Sequence, residues 1–186
     1  MAPPRRVVGL APSPEIPVLK LPKDLAADQR HDAVLNILTA HAGLLWASGR
    51  NQVATVPMTD ALAAVLRGAL ASGLACQGLE LATDKLAGEQ KGLDAASAKV
   101  PESPQNARVS RVLFLANDGS TRFYRDCDAL LSRYPQRLLA CRLEIMGDDL
   151  GNALFGSPRL VRSVLVFDKK VASRALLALL PPVSAA

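Results

Sequence analysis

"GDDLGNALFGSPRLVRSVLVFD", residues 147–168, decides how the chain is read. An acidic pair, Asp148 and Asp149, opens a short run with apolar residues at helical spacing, and acids at that place suit the positive end of a helix. A Gly-Ser-Pro loop follows, carrying Ser157 and Arg159, and then Arg162 leads into an apolar run that closes on Asp168. The run "RSVLVF" reads as a buried strand. No nucleophile or general base stands out in the stretch. A small helix, a basic loop and a buried strand in close succession suit a surface that grips a polyanion.

Working outward, strand and helix alternate. "VSRVLFLA" (109–116) reads as a strand, and "STRFYRDCDALLSRY" (120–134) as an amphipathic helix with Phe123, Cys127, Leu130, Leu131 and Tyr134 on one face. "RLLACRLEI" (137–145) is a strand, and "DKKVASRALLALL" (168–180) a helix capped by Asp168 and stopped by Pro181 and Pro182. Nearer the start, "DLAADQRHDAVLNILTAHAGLLWASG" (24–49) places Val34, Ile37, Leu38, His41, Leu44 and Leu45 at helical spacing, with Gly49 as its stop. "NQVATVP" (51–57) reads as a short strand, and "MTDALAAVLRGALASG" (58–73) as a helix with Thr59 as cap and Gly73 as terminator. The alternation predicts an α/β layered sandwich with about four strands. Residues 74–108 lose the pattern. They read as a long insertion between the second helix and the second strand, partly helical and then a flexible loop. Six prolines within the first 22 residues make the start an extended arm, with its boundary at about residue 24 and a single domain over 25–182.

Hydrophobic residues make up 49% of the 186, enough for a sizeable core, but only 4% are aromatic, so that core must be built from Leu, Val and Ala. The net charge of +5 permits contact with nucleic acid without requiring it. Cys76, Cys127 and Cys141 have no C-x-x-C spacing, which argues against zinc, and their odd number points to reduced thiols inside a cell. His31 and His41 read as helix-surface residues, so no metal is expected. No apolar run reaches the roughly 18 residues that cross a bilayer. Arg5 and Arg6, with no acid before Glu15, are compatible with a mitochondrial leader, although a proline-rich tail is the plainer reading.

Each chemically suggestive feature has an ordinary alternative. "ANDGST" (116–121) opens a helix after a strand and could cradle phosphate, but it lacks the glycine pattern and lysine of known phosphate loops; Ser120 or Thr121 as a helix cap suffices. Asp118, Asp126 and Asp128 read as solvated, and Cys127 as core. Residues 155–174 gather Arg159, Arg162, Lys169, Lys170 and Arg174 against one acid, Asp168, and so hold most of the chain's excess charge. Arg159, held by its loop, is the pointed candidate for a phosphate contact.

The order helix, strand, helix, strand, helix, strand, short helix, strand, helix resembles the kink-turn-binding ribosomal protein superfamily of the L-seven-Ae and L-thirty-e type. "ILTAHAGLLWASG", "AAVLRGALASG", "VLFLANDGS" and above all "DDLGNALFGSPRLVRSVLVFD" are similar to that family's strings, over about residues 28–73 and 109–180. The resemblance implies a three-layer α/β/α sandwich with a mixed sheet, and RNA contact through two elements. One is a G-x-N-E-x-x-K motif at a helix start. It matches either "GRNQVAT", through Gly49 and Asn51, with Arg50 between them, Gln52 in place of Glu and Thr55 in place of Lys, or "PMTDALAAVLRG", where Thr59 and Asp60 stand for Asn-Glu, Ala63 for the lysine, and Arg67 lies further along. Neither register keeps the lysine. The other element is the loop from Phe155 to Val161, with Ser157 and Arg159, next to Arg162.

The expectation is a non-catalytic RNA-binding protein without cofactor, part of a cytoplasmic or nucleolar ribonucleoprotein particle. It would recognise structured RNA of kink-turn type alongside other proteins of the particle. A protein–protein module on the same fold is the alternative, and a nucleotide-binding enzyme using "ANDGST" ranks below it.

Overall fold

The computed structural model describes residues 20–99 and 108–181; most of the proline-rich arm and the 100–107 part of the expected loop lie outside them. Six strands form one mixed sheet in the order β1-β2-β5-β4-β6-β3. They are β1 (Ala42–Leu44), β2 (Gln52–Val56), β3 (Ala75–Gln77), β4 (Arg111–Leu115), β5 (Leu138–Leu143) and β6 (Ser163–Val166). The helices are α1 (Lys23–Ala26), α2 (His31–Ala40), α3 (Asp60–Ala71), α4 (Leu79–Lys99), α5 (Thr121–Arg133), α6 (Gly147–Phe155) and α7 (Lys169–Leu177). None of the helices described is long and apolar enough to cross a membrane.

Strand alternation produces the three layers. In β4, Val112 and Phe114 join a core with residues of α1, α2, α3, α6 and α7, whereas Leu113 and Leu115 join a second core under α4 and α5. Both faces of β4 and β6 are therefore covered, which is why these strands read as unbroken apolar runs. The core is aliphatic, as the composition requires; Phe114 is its one fully buried aromatic ring among the described residues.

β2, β5 and β4 run parallel, and β6 returns antiparallel beside β4. The two strands beyond the expected four are at the edges. β3 adds to β6, and β1 adds to β2. β1 lies within the segment whose spacing predicts a continuous helix to Gly49. The helix stops at Ala40 because Leu38 and Leu45 serve opposite faces of the sheet, Leu38 in one core and Leu45 in the other. The supposed insertion is also structural as far as Lys99. α4 buries only Ala82 and Leu86, a stripe too narrow for its sequence to reveal.

Asp128 corrects the expectation of a solvated carboxylate. Only 5% exposed, it accepts hydrogen bonds from the backbone N–H of Arg50 (3.1 Å) and Asn51 (2.9 Å) and from Asn51 Nδ2 (2.9 Å). Asn51 Nδ2 also reaches Ser132 Oγ at 2.8 Å. The turn before β2 is thereby tied to α5. Burial pushes the Asp128 pKa up, but the bonds from Asn51 and Arg50 outweigh it and hold the carboxyl below its ordinary value. The ionised form thus stabilises the fold at neutral pH, and that contribution is lost as pH falls through the depressed pKa. Asp128→Ala is expected to lower the unfolding free energy at pH 7 by about 2–3 kcal/mol in urea denaturation. The gap from wild type should narrow as pH drops below about 4.

Candidate nucleic-acid interface

The parallel strands β2, β5 and β4 end side by side at Val56, Leu143 and Leu115, and β6 begins beside them at Ser163. Four backbone hydrogen bonds stitch the chain together at this edge. Glu144 N donates to Val56 O (2.9 Å), Asn117 N to Ile145 O (2.9 Å), Ala116 N to Arg162 O (2.9 Å) and Val161 N to Gly147 O (3.0 Å). The starts of α3, α5 and α6 therefore share one end of the sheet with the segment 156–162 that returns from α6 to β6. The carboxyl edge of such a sheet is where ligands commonly bind.

Glycines set the path of the return segment. Gly156, at φ +66°, closes α6 in the left-handed conformation. The backbone then lies directly on α6, where a Cβ at Gly151 would overlap the Arg159 carbonyl and one at Gly147 would fall 2.7 Å from Leu160 Cδ1. Gly147 and Gly151, four residues apart on one helix face, are the contact stripe. Asp118 adds a further tie, accepting from Gly147 N at 2.9 Å.

This close packing displays apolar side chains instead of hiding them. Met146 (55% exposed) before the start of α6, Phe155 (37%) at its end and Leu160 (50%) on the return segment are the exposed apolar side chains here, and the surface from Phe155 along the return segment is termed the ledge. The Arg159 guanidinium lies 4.5 Å from the Phe155 ring centroid, stacked as a cation on an aromatic face. Ser157 and Arg162 are exposed on the same segment. α3 packs against α6, and Arg67 Nη1 donates to Ala153 O at 2.9 Å, near the end of α6 that leads to Phe155. Sequence reading singled out the loop's arginines but not this ledge; the only signal for it was apolar residues standing outside either periodicity.

The site residues expected from sequence divide into two groups. Arg67 of α3 reaches α6 at Ala153, near the segment that carries Ser157, Arg159 and Arg162, whereas Thr59, at the start of α3, is tied to Ala178 at the end of α7, with Asp60 beside it. Gly49, Arg50, Asn51 and Gln52 do not join them. They form the turn at the opposite end of β2, with Asn51 engaged by Asp128. Of the two motif registers, only the second falls at a helix start. Thr59 caps α3, accepting from Leu62 N at 3.0 Å and donating to Ala178 O at 2.7 Å. Ala63, the lysine position of that register, is buried against the core.

Backbone groups at this edge that suit phosphate are met by the chain's own side chains. Asp60 at the start of α3 and Asp148 and Asp149 at the start of α6 complement the helix dipoles. In the 116–121 turn, Tyr124 Oη accepts from Gly119 N (3.0 Å) and donates to Ala116 O (2.7 Å), while Ser120 caps α5. The arginines of the ledge, and not the helix ends, are the groups at this edge suited to an anion.

Compared with known proteins, the chain matches no protein-family model, and no curated protein resembles it significantly in sequence.

Gly151→Ala forces the return segment off α6. It should cost about 1–3 kcal/mol of stability and speed amide exchange in residues 157–162. Thermal melts and hydrogen–deuterium exchange measure both effects.

Proposed function

We propose that the protein is a non-catalytic RNA-binding component of a ribonucleoprotein particle, and that the ledge from Phe155 along segment 156–162 takes an irregular element of structured RNA of kink-turn type. The observation that carries this reading is the Arg159–Phe155 stack, with Leu160 exposed on the same return segment, whose backbone packs directly on α6. RNA is recognised chiefly where bases leave the helix, and an unstacked base rests well on aromatic and guanidinium planes. Arg162 and Arg67 flank the ledge and suit the neighbouring phosphates. The chain's net charge of +5 supports the same reading, as does the likeness of its element order to the kink-turn-binding superfamily. Such a particle would be cytoplasmic or nucleolar, or mitochondrial if Arg5 and Arg6 belong to a leader. The arm before residue 24 would contact its other proteins.

A second reading, a protein-binding module on the same fold, draws on the acids Asp60, Asp148 and Asp149 at the helix starts and on the buried Ala63 where a motif lysine would stand.

Fluorescence anisotropy with a kink-turn RNA and a matched regular duplex tests the first reading. Wild type should prefer the kink-turn RNA. Arg159→Ala with Arg162→Ala should weaken that binding at least about tenfold and abolish the preference, since each such contact is worth roughly 1–3 kcal/mol. Arg50→Ala, at the other end of β2, should leave the preference intact. An unchanged preference in the double variant would contradict the reading. Pulldown partners that survive nuclease, with no RNA retained, would favour the protein-binding module.

A further inference from the structure

The opposite end of the sheet carries a different surface. The starts of β4, β5 and α7, the start of α1, the middle of α4 and the end of α5 enclose an open groove of about 700 Å³. Six cations line it: Lys23, Arg108, Arg111, Arg133, Arg137 and Lys169. Only two acids, Asp24 and Glu89, oppose them. Within a chain of net charge +5, this is a strong local excess in a concave setting, where potential is focused.

Part of this charge is preorganised. Glu89 Oε2 accepts from Arg111 Nε at 2.8 Å and from Arg137 Nη2 at 2.9 Å, so one carboxylate holds two guanidinium groups and leaves a fixed positive charge. Arg137 Nη1 also donates to Gln90 Oε1 (3.1 Å), Arg111 Nη1 to Ser110 O (2.7 Å) and Arg108 Nη1 to Leu21 O (3.3 Å). These arginines are locked in place, so a ligand would not have to order them. Lys23, Arg133 and Lys169 are exposed and have no ion-pair partner among the described residues. Asp24 is the one acid of the groove lining outside the Glu89 cluster, so it offsets only one of these three charges.

We propose that this groove is a second RNA contact, which tracks the phosphate backbone of a single strand at the end of the sheet remote from the ledge. The inference rests on the RNA-binding reading and adds to it a sequence-independent surface. A phosphodiester strand brings a charge with every residue, which suits cations contributed by several elements around a groove. One wall, with Glu89 and Gln90, comes from α4, so the helix that the spacing of apolar residues did not reveal acquires a role.

Lys23→Ala, Arg133→Ala and Lys169→Ala combined test the groove, because these exposed side chains support no internal bond and the variant should melt like wild type. Binding is read by anisotropy with a labelled single-stranded RNA of about 12 nucleotides and with the kink-turn RNA and duplex, across a salt series. Three lost phosphate contacts should weaken single-strand binding about 10- to 100-fold near 0.1 M salt and make the salt slope shallower by about 2. Preference for kink-turn RNA over duplex should persist, whereas Arg159→Ala with Arg162→Ala should lose the preference and keep the single-strand slope. An unchanged affinity and slope in the triple variant overturn the groove alone. Stronger binding of a polyglutamate peptide than of the RNA strand, with the same charge dependence, overturns the assigned ligand. Failure of wild type to bind any of these RNAs overturns both readings.

Discussion

The approach of segment 156–162 to α6 over Gly147 and Gly151 is the constraint on which the functional surface depends. β5 must be followed by a helix that covers the sheet, and the chain must then regain the edge where β4 ends, because β6 pairs antiparallel with β4 from Ser163 onward. Little chain is available for this return. It fits because two glycines let backbone lie on helix with no intervening side chains, and because Gly156 turns the corner at a φ that other residues adopt at a cost. Val161 still faces inward into the core, whereas Ser157, Arg159 and Leu160 are left outside. The exposed Leu160 and the Arg159–Phe155 stack follow from that geometry.

The two ends of the sheet have different electrostatic characters. At the carboxyl edge, acids sit on the helix starts and Asp118 is spent on Gly147 N, while Arg159 stacks on Phe155 at the far end of α6. At the other end, guanidinium groups outnumber carboxylates, and Glu89 is shared between two of them. The first arrangement favours shape and stacking, the second long-range attraction that salt screens. Together they suit a ligand that is irregular at one place and uniformly charged elsewhere.

Much of the fold was legible because burial imposes a period. From Arg111 onward each strand is buried on both faces and each helix carries one apolar stripe, so the elements fall where spacing places them, and Ser120 and Asp168 cap as their residue types suggest. The reading failed where that link breaks. Leu38 and Leu45 keep helical spacing but belong to opposite sides of the sheet, so α2 and β1 were merged. α4 buries two residues in nearly six turns and left almost no apolar signal. Asp128 looked like a surface acid because its partners, Arg50 and Asn51, are more than seventy positions away in sequence. That same long-range contact excludes "GRNQVAT" from a helix start, which no local pattern could decide. At the candidate site, the loop arginines were legible as charge in a fixed turn, whereas the exposure of Phe155, Met146 and Leu160 is a tertiary property.

The central claim is that RNA meets the protein along α6 and its return segment. Ultraviolet crosslinking to a kink-turn RNA, with the attachment sites mapped by mass spectrometry, tests it directly, since crosslinks form where bases touch side chains. The account predicts crosslinks at Met146, Phe155 or Leu160. Crosslinks confined to the turn at Gly49–Gln52, with none on the ledge, would contradict it.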